Sequence, residues 1–328
     1  MIIRPGRDDD AEGFIRLIGD CWAEYPGCLM DLDGENPELR VLASHFAAAG
    51  GALWAAEQDG VIVGMVGVKP EHGGLWELCR MYVAACARGT GMAAALLSTA
   101  EAYARSHGAT EFDLWSDTRF DRAHRFYERQ GFVRAGGIRA LNDISNSLEF
   151  HYAKPLVGVA VRSLDIAAAA SAARGLGRVM QACVESGASV SFLPPLPLAD
   201  AEAFFRRKSS EIATGKRILL AAWLDGALVG TVSVDLDTPP NQPHRAEIQK
   251  LLVHPNARRN GIARALMVQA EQAAAAAGRT LLTLDTRADD HAERLYRCNG
   301  WIEAGRIPDY ARNPDGTLSP TVLFYKQF

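Results

Sequence analysis

Two stretches of this chain place the same chemistry-bearing residues in the same order. From Glu247 to Ala263 it reads EIQKLLVHPNARRNGIA, and from Glu77 to Ala93 ELCRMYVAACARGTGMA. A shift of 170 positions lays Glu77 on Glu247, Val83 on Val253, Arg88 on Arg258, Gly91 on Gly261 and Ala93 on Ala263. Each stretch runs from an apolar strand through a loop of small residues into an Ala-rich helix. A helix start leaves backbone N–H groups unpaired at the positive end of its dipole, and glycine lets an anion approach the main chain. The loops Arg88, Gly89, Thr90, Gly91, Met92, Ala93 and Arg258, Arg259, Asn260, Gly261, Ile262, Ala263 are therefore candidate diphosphate sites. A mononucleotide P-loop would carry Lys and Ser or Thr after its final glycine, where Met92 and Ile262 stand. Glu77 and Glu247 open the preceding strands, and a carboxylate there can take a proton from an ammonium or a hydroxyl.

The elements that must position these groups are themselves repeated. DGVIVGMVGV at 59 matches DGALVGTVSV at 225, and a DTR triplet occurs at 117 and 285. Ala123, Tyr127 and Gly131 are mirrored by Ala292, Tyr296 and Gly300. This is one α/β domain used twice, over 1–155 and 157–328, and so short a join predicts that the halves pack on each other. In the first half, Phe14, Leu17, Ile18, Cys21 and Trp22 recur at helical spacing. A second helix is expected around 38–48, then strands 52–57 and 61–68 joined by Asp59-Gly60, a hairpin signal. Strand 75–83 leads through the loop to a helix at 91–107, followed by strand 111–116, a helix at 122–130 and apolar segments 133–141 and 148–152. The second half repeats the order, with helices at 165–183 and 200–213, a strand at 218–223 and the turn Asp225-Gly226. Each half opens with helices and antiparallel hairpins, unlike the alternating βαβ units of a dinucleotide fold.

With 328 residues and 48% hydrophobic content the chain can bury two cores of about 160 residues each. A net charge of −4 gives no global field for nucleic acid. Six cysteines, at 21, 28, 79, 86, 183 and 298, show no C-x-x-C pair and no His-Cys cluster, so no metal site is expected. No apolar stretch reaches the ~18 residues of a membrane span, and the start MIIRPGRDDD is unlike an export signal, so a cytoplasmic protein is expected. No Cys, Ser or His recurs in both halves as a nucleophile with a partner, which favours direct attack over a covalent route. The sequence is silent on oligomeric state.

The Asp-Gly hairpin, the strand entering R-x-x-G-x-A at a helix start and the later A-x-x-x-Y-x-x-x-G-[FW] together resemble the GNAT acetyltransferase superfamily, in both halves. Residues 157–328 are further similar to the tabtoxin-resistance acetyltransferase, in SFLPPLPL, AEIQKLLVHPNARRNGIARALM and IPDYARNPDGTLSPTVLFYK. The resemblance implies two tandem domains, each a mixed, mostly antiparallel sheet flanked by helices and splayed between its fourth and fifth strands, with acetyl-CoA in the split. It implies that the backbone at Met81, Tyr82 and Val83, and at Leu251, Leu252 and Val253, pairs with pantetheine, and that the glycine loops hold the pyrophosphate. Glu247 with Asp285, and Glu77 with Asp117, would be paired acids at the acceptor, and Tyr296 and Tyr127 would protonate the departing thiolate. The family often has Asn three residues before the small Ala of the later helix; here Phe120 and Asp289 stand there. The acceptor implied is a small amine or hydroxyl compound, with a peptide or protein N-terminus as the alternative, and neither nucleic acid nor membrane as partner. A half serving only as scaffold or cofactor-binding module is a further alternative.

Overall fold

The computed structural model describes residues 2–328. Its contacts divide the chain into a unit ending at Val157 and another beginning at Gly158. The N-terminal unit contains β1 (Ile2–Pro5), α1 (Ala11–Ala23), α2 (Leu42–Ala48), β2 (Ala52–Gln58), β3 (Val61–Pro70), β4 (Leu75–Val83), α3 (Met92–Ser106), β5 (Glu111–Asp117), α4 (Asp121–Arg129), β6 (Val133–Ala140) and β7 (Leu148–Pro155). Its seven strands lie in the order β1-β2-β3-β4-β5-β7-β6. β4 and β5 run parallel, and the remaining neighbours are antiparallel. The helix expected around 38–48 is two elements, a 3-10 turn at Pro37–Val41 and then α2.

The hairpin between β2 and β3 turns at Asp59 and Gly60, with φ of 52° and 77°, the positive pair that matches the twist of two antiparallel strands. Alternation along β4 decides what faces what. Trp76 and Leu78 join Leu96, Leu97, Ala100 and Ala104 of α3 in a core on one side of the sheet. On the other side Phe14, Leu17 and Ile18 of α1 and Leu42 and Phe46 of α2 cover Leu53, Ala55 and Met65. Gly67 makes room for α2: a Cβ there would lie 2.2 Å from the Phe46 ring.

The C-terminal unit repeats the plan with β8 (Val159–Leu164), α5 (Ile166–Glu185), α6 (Leu198–Ala213), β9 (Arg217–Leu224), β10 (Ala227–Asp235), β11 (Arg245–Val253), α7 (Ile262–Ala276), β12 (Leu281–Arg287), α8 (His291–Cys298), β13 (Ile302–Arg312) and β14 (Leu318–Gln327). Its strands, read from the other edge, run β8-β9-β10-β11-β12-β14-β13. Asp165 caps α5, its carboxylate accepting the Ala168 N–H at 2.8 Å. Each unit also ties its last strand down through a lysine. Lys154 Nζ donates to Glu101 at 2.5 Å and to the Gln130 carbonyl at 2.9 Å, and Lys326 Nζ to Glu271 and the Asn299 carbonyl, each at 2.8 Å.

Candidate active site

The parallel ladder in each sheet is very short. β4 pairs with β5 through Leu75–Glu111, Trp76–Phe112 and Glu77–Asp113 and then stops, although β4 continues to Val83 and β5 to Asp117. β11 and β12 do the same, ending at Glu247–Thr283. In both units the split therefore opens at the glutamate. A bulge follows at once: two residues, Arg80 and Met81, face one between the pairs Met65–Tyr82 and Gly67–Cys79, and Lys250 and Leu251 do likewise between Thr231–Leu252 and Ser233–Gln249. Arg80 and Lys250 take the left-handed turn this requires, with φ of 49° and 53°.

Beyond the strand lies the loop. Gly91 and Gly261 sit at the N-caps of α3 and α7 with φ of 90° and 76°, and no side chain caps either helix. The first i→i−4 bonds are Ala95 to Gly91 and Ala265 to Gly261. The three N–H groups ahead of each therefore face outward with no helical partner. Among the described residues nothing lies within 4 Å of where a Cβ would stand on Gly89, Gly91 or Gly261, so the space over both loops is open to a ligand. Among the twelve loop positions one departs from the pattern: Arg259 adopts φ 67°, where its counterpart is Gly89 at 76°.

The loop arginines are already engaged. Arg88 Nε donates to the Val83 carbonyl at 2.9 Å, and its terminal nitrogens clasp Glu24 at 2.8 and 2.6 Å. Arg258 reaches the Val253 carbonyl at 3.4 Å and Ser186 Oγ at 3.1 Å. The last strand carbonyl on each edge is thus occupied by the protein's own arginine.

In the N-terminal unit these pieces line a cavity of about 810 Å³, whose walls include Glu77, Tyr127, Asp117, Met81, Tyr82 and Val83 together with Arg88, Gly89, Gly91, Met92 and Ala93. Glu77 is bound by Lys69, its cross-strand neighbour, at 2.7 Å. Burial works against the Lys69 charge, but hydrogen bonds to Glu77 and Glu71 hold its ammonium above the usual lysine range. Tyr127 is buried, which pushes its phenol well above the usual tyrosine value.

Asp117 does not repeat Asp285. Because Glu77 pairs with Asp113 and Glu247 with Thr283, strand register puts Trp115 in the place of Asp285 and Arg287 in the place of Asp117. The two DTR triplets lie 168 positions apart, whereas the strands are offset by 170 and Tyr127 and Tyr296 by 169. The triplets are a coincidence of sequence that a two-residue register difference undoes. Asp117 is also committed elsewhere, accepting from Arg119 Nε at 2.8 Å and from a terminal nitrogen at 2.5 Å. Burial would raise its pKa, but these hydrogen bonds win and hold it below the usual range.

In the C-terminal unit Glu247 accepts from Gln249 Nε2 at 3.0 Å, and its cross-strand neighbour is another acid, Asp235, held by Arg217 at 2.7 Å. Asp285 is exposed and accepts from Thr321 Oγ1 at 3.2 Å. Burial lowers the pKa of Lys250, against the attraction of both Asp285 and Glu247, so the three groups share one electrostatic neighbourhood. Tyr296 is buried, and burial followed by the nearby Asp285 pushes its phenol upward. Lys250 thus feels the charge of both carboxylates, and Tyr296 that of Asp285. Lys69 and Glu24 escaped the reading of the sequence; for Glu24 the available signal was the pairing of Cys21 with Cys183 and of Glu24 with Ser186, each 162 positions apart.

The model of the Acetyltransferase (GNAT) family matches twice, over residues 15–132 and 185–301. The chain belongs to this family. Curated relatives include N-acetyltransferase 8F1 of Rattus norvegicus, 31% identical over 125 residues, which are 37% of this chain and 54% of that protein. Probable N-acetyltransferase family 8 member 5 of Mus musculus is 36% identical over 139 residues, 41% of this chain and 59% of its own length. The match thus spans little more than half of either relative. Among solved structures, a putative acetyltransferase from Salmonella typhimurium with its cofactor acetyl-CoA is 16% identical, covering 52% of this chain and 94% of that one at a TM-score of 0.44. Ribosomal-protein-alanine N-acetyltransferase from Brucella melitensis is 21% identical, with 52% and 99% covered and a TM-score of 0.43. Among the described residues no helix is long and apolar enough to cross a membrane.

Proposed function

We propose that this GNAT protein is an acetyl-CoA-dependent acetyltransferase with a cofactor split in each unit, serving a small amine or hydroxyl acceptor. One observation carries the reading: in both units the parallel ladder stops at a glutamate, and the freed strand edge runs on to an uncapped helix start beneath open space. Such a track suits a long, thin ligand with amides along its arm and a diphosphate at one end. The edge at Leu251 and Leu252 would pair the amides, and the N–H groups of Ile262 and Ala263, with Arg258 and Arg259, would hold the diphosphate. Met81, Tyr82, Met92 and Ala93 would do so in the other unit. What acetyl-CoA supplies is an acetyl group on a thioester whose sulfur is protonated as it leaves.

The protein's own groups handle the protons. Glu247 takes the proton from the acceptor nitrogen or oxygen, directly or through water, with Asp285 as a second carboxylate, as the resemblance to the tabtoxin-resistance enzyme suggests. The Tyr296 phenol, its pKa pushed further up by burial, is protonated at neutral pH, so its Oη has a proton to give at the other end of the reaction. Glu77 and Tyr127 fill these roles in the N-terminal unit, without Asp117. Direct attack is supported by the thiols beside that split: burial raises the pKa of Cys21 and Cys79, so neither is a ready thiolate. The Lys69–Glu77 ion pair favours a second reading, in which the C-terminal unit alone turns over and the N-terminal one binds cofactor.

The test is thiol release from acetyl-CoA by the full chain over a panel of small amines, small alcohols and peptides. Glu247→Gln and Tyr296→Phe are each expected to lower the rate by about a hundredfold or more. If Glu77→Gln and Tyr127→Phe leave the rate unchanged, the second reading holds; absence of acetyl-CoA binding by the intact chain would overturn both.

A further inference from the structure

The two units build the same joint at the outer end of the split and finish it with opposite chemistry. In each, a helix brings a thiol and a terminal residue to the end of the splayed strand. Cys21 Sγ contacts the Val83 carbonyl at 3.7 Å and Cys183 Sγ the Val253 carbonyl at 3.3 Å, and those carbonyls also accept from Arg88 and Arg258. The residue ending the helix then meets the same arginine. It is Glu24 after α1 and Ser186 after α5.

Glu24 is an odd residue for this position. A carboxylate at a helix C-terminus faces the negative end of the dipole, so it needs a compensating partner. It has two: Arg88 from the loop after β4, and Arg122 of α4, beyond β5, at 2.9 Å. Both lie on the wall of the cavity. Ser186 brings no charge, the neighbouring Gly187 offers only its carbonyl to Arg287 at 3.1 Å, and His291 stands where Arg122 does. Arg258 meets no carboxylate among the described contacts, and Arg259 beside it is exposed.

We propose that Glu24 sets the affinity of the N-terminal cofactor site, its carboxylate occupying the arginine charge that a nucleotide diphosphate would draw on, and that the C-terminal unit is the tighter site. The inference rests on the reading that both units bind acetyl-CoA. A diphosphate entering the N-terminal split competes with an internal anion already seated on Arg88 and Arg122. One entering the C-terminal split meets a guanidinium with only neutral partners.

Calorimetric titration of the full chain with CoA tests this, using Glu24→Ser and the reciprocal Ser186→Glu. Wild type is expected to show two classes of site. Glu24→Ser should tighten the weaker class by about three- to tenfold, and Ser186→Glu should weaken the tighter class by a similar factor with a shallower salt dependence. A Glu24→Ser protein that melts like wild type and binds its weaker equivalent unchanged or less tightly would overturn the proposal, showing that Glu24 merely holds the loop. A wild type that takes up no CoA at all would instead overturn the acetyltransferase reading beneath it.

Discussion

Arg259 offers a substitution in which stability and binding should move in opposite directions. It holds φ 67° in the loop before α7, a conformation that costs a side-chain-bearing residue about 1–2 kcal/mol. Its counterpart, Gly89, adopts φ 76° without that cost. Arg259→Gly should remove the strain while returning about 0.5–1 kcal/mol through the greater freedom of glycine in the unfolded chain. The net gain is centred on about 0.75 kcal/mol, a rise of about 2–3 °C in the melting of a unit this size. The same change deletes an exposed positive charge beside the diphosphate site, worth up to about 1 kcal/mol, so CoA should bind about three- to fivefold more weakly. Differential scanning calorimetry and CoA titration of the same protein read both effects, and Gly89→Arg should reverse the stability change in the other unit. A lower melting temperature for Arg259→Gly, or unchanged CoA affinity, would refute the reasoning.

Gly67→Ala should cost about 1–3 kcal/mol, because its Cβ would meet the Phe46 ring at 2.2 Å; trimming the ring with Phe46→Leu in the same chain should restore part of the loss in a denaturant melt. Lys154→Met should cost about 2–3 kcal/mol, less than the loss of a wholly isolated buried pair because Glu101 keeps Arg105, and an unchanged melting curve would contradict this. Burial raises the pKa of Tyr82, Tyr127, Tyr152 and Tyr296 above the ordinary 10.0. A folded pKa above the unfolded one adds stability that is fully present below pH 10 and lost as pH rises through the folded value. Absorbance titration should therefore show at least four of the eight tyrosines resisting ionisation until the chain unfolds in alkali.

The groups that sequence placed correctly are those whose geometry is local. The hairpins at Asp59-Gly60 and Asp225-Gly226, the strand from Leu75 to Val83 and the helix start at Gly91 depend on neighbours a few residues away, and each was legible from turn chemistry and periodicity. What escaped depends on register and on partners far along the chain. Lys69 lies opposite Glu77 only because of how β3 and β4 align, and Glu24 meets Arg88 across 64 positions. The apparent twin of Asp285 failed for the same reason: a triplet match cannot reveal that the strand offset is 170 rather than 168. A repeat shows which residues have counterparts only after the strands have been paired.

The strand order has a consequence for how the chain is made. Among the described residues β6 pairs only with β7 and β13 only with β14, and each edge strand is synthesised before that neighbour. As the chain leaves the ribosome, each unit must wait with an unpaired strand until its last ten or so residues emerge, when Lys154 or Lys326 arrives with the closing strand and fastens it to the helices already in place. A truncation short of that strand should leave more than a frayed end, since it strands β6 or β13 as well. The interval between residues 133 and 155 is thus when the nascent N-terminal unit carries a strand with no partner yet made.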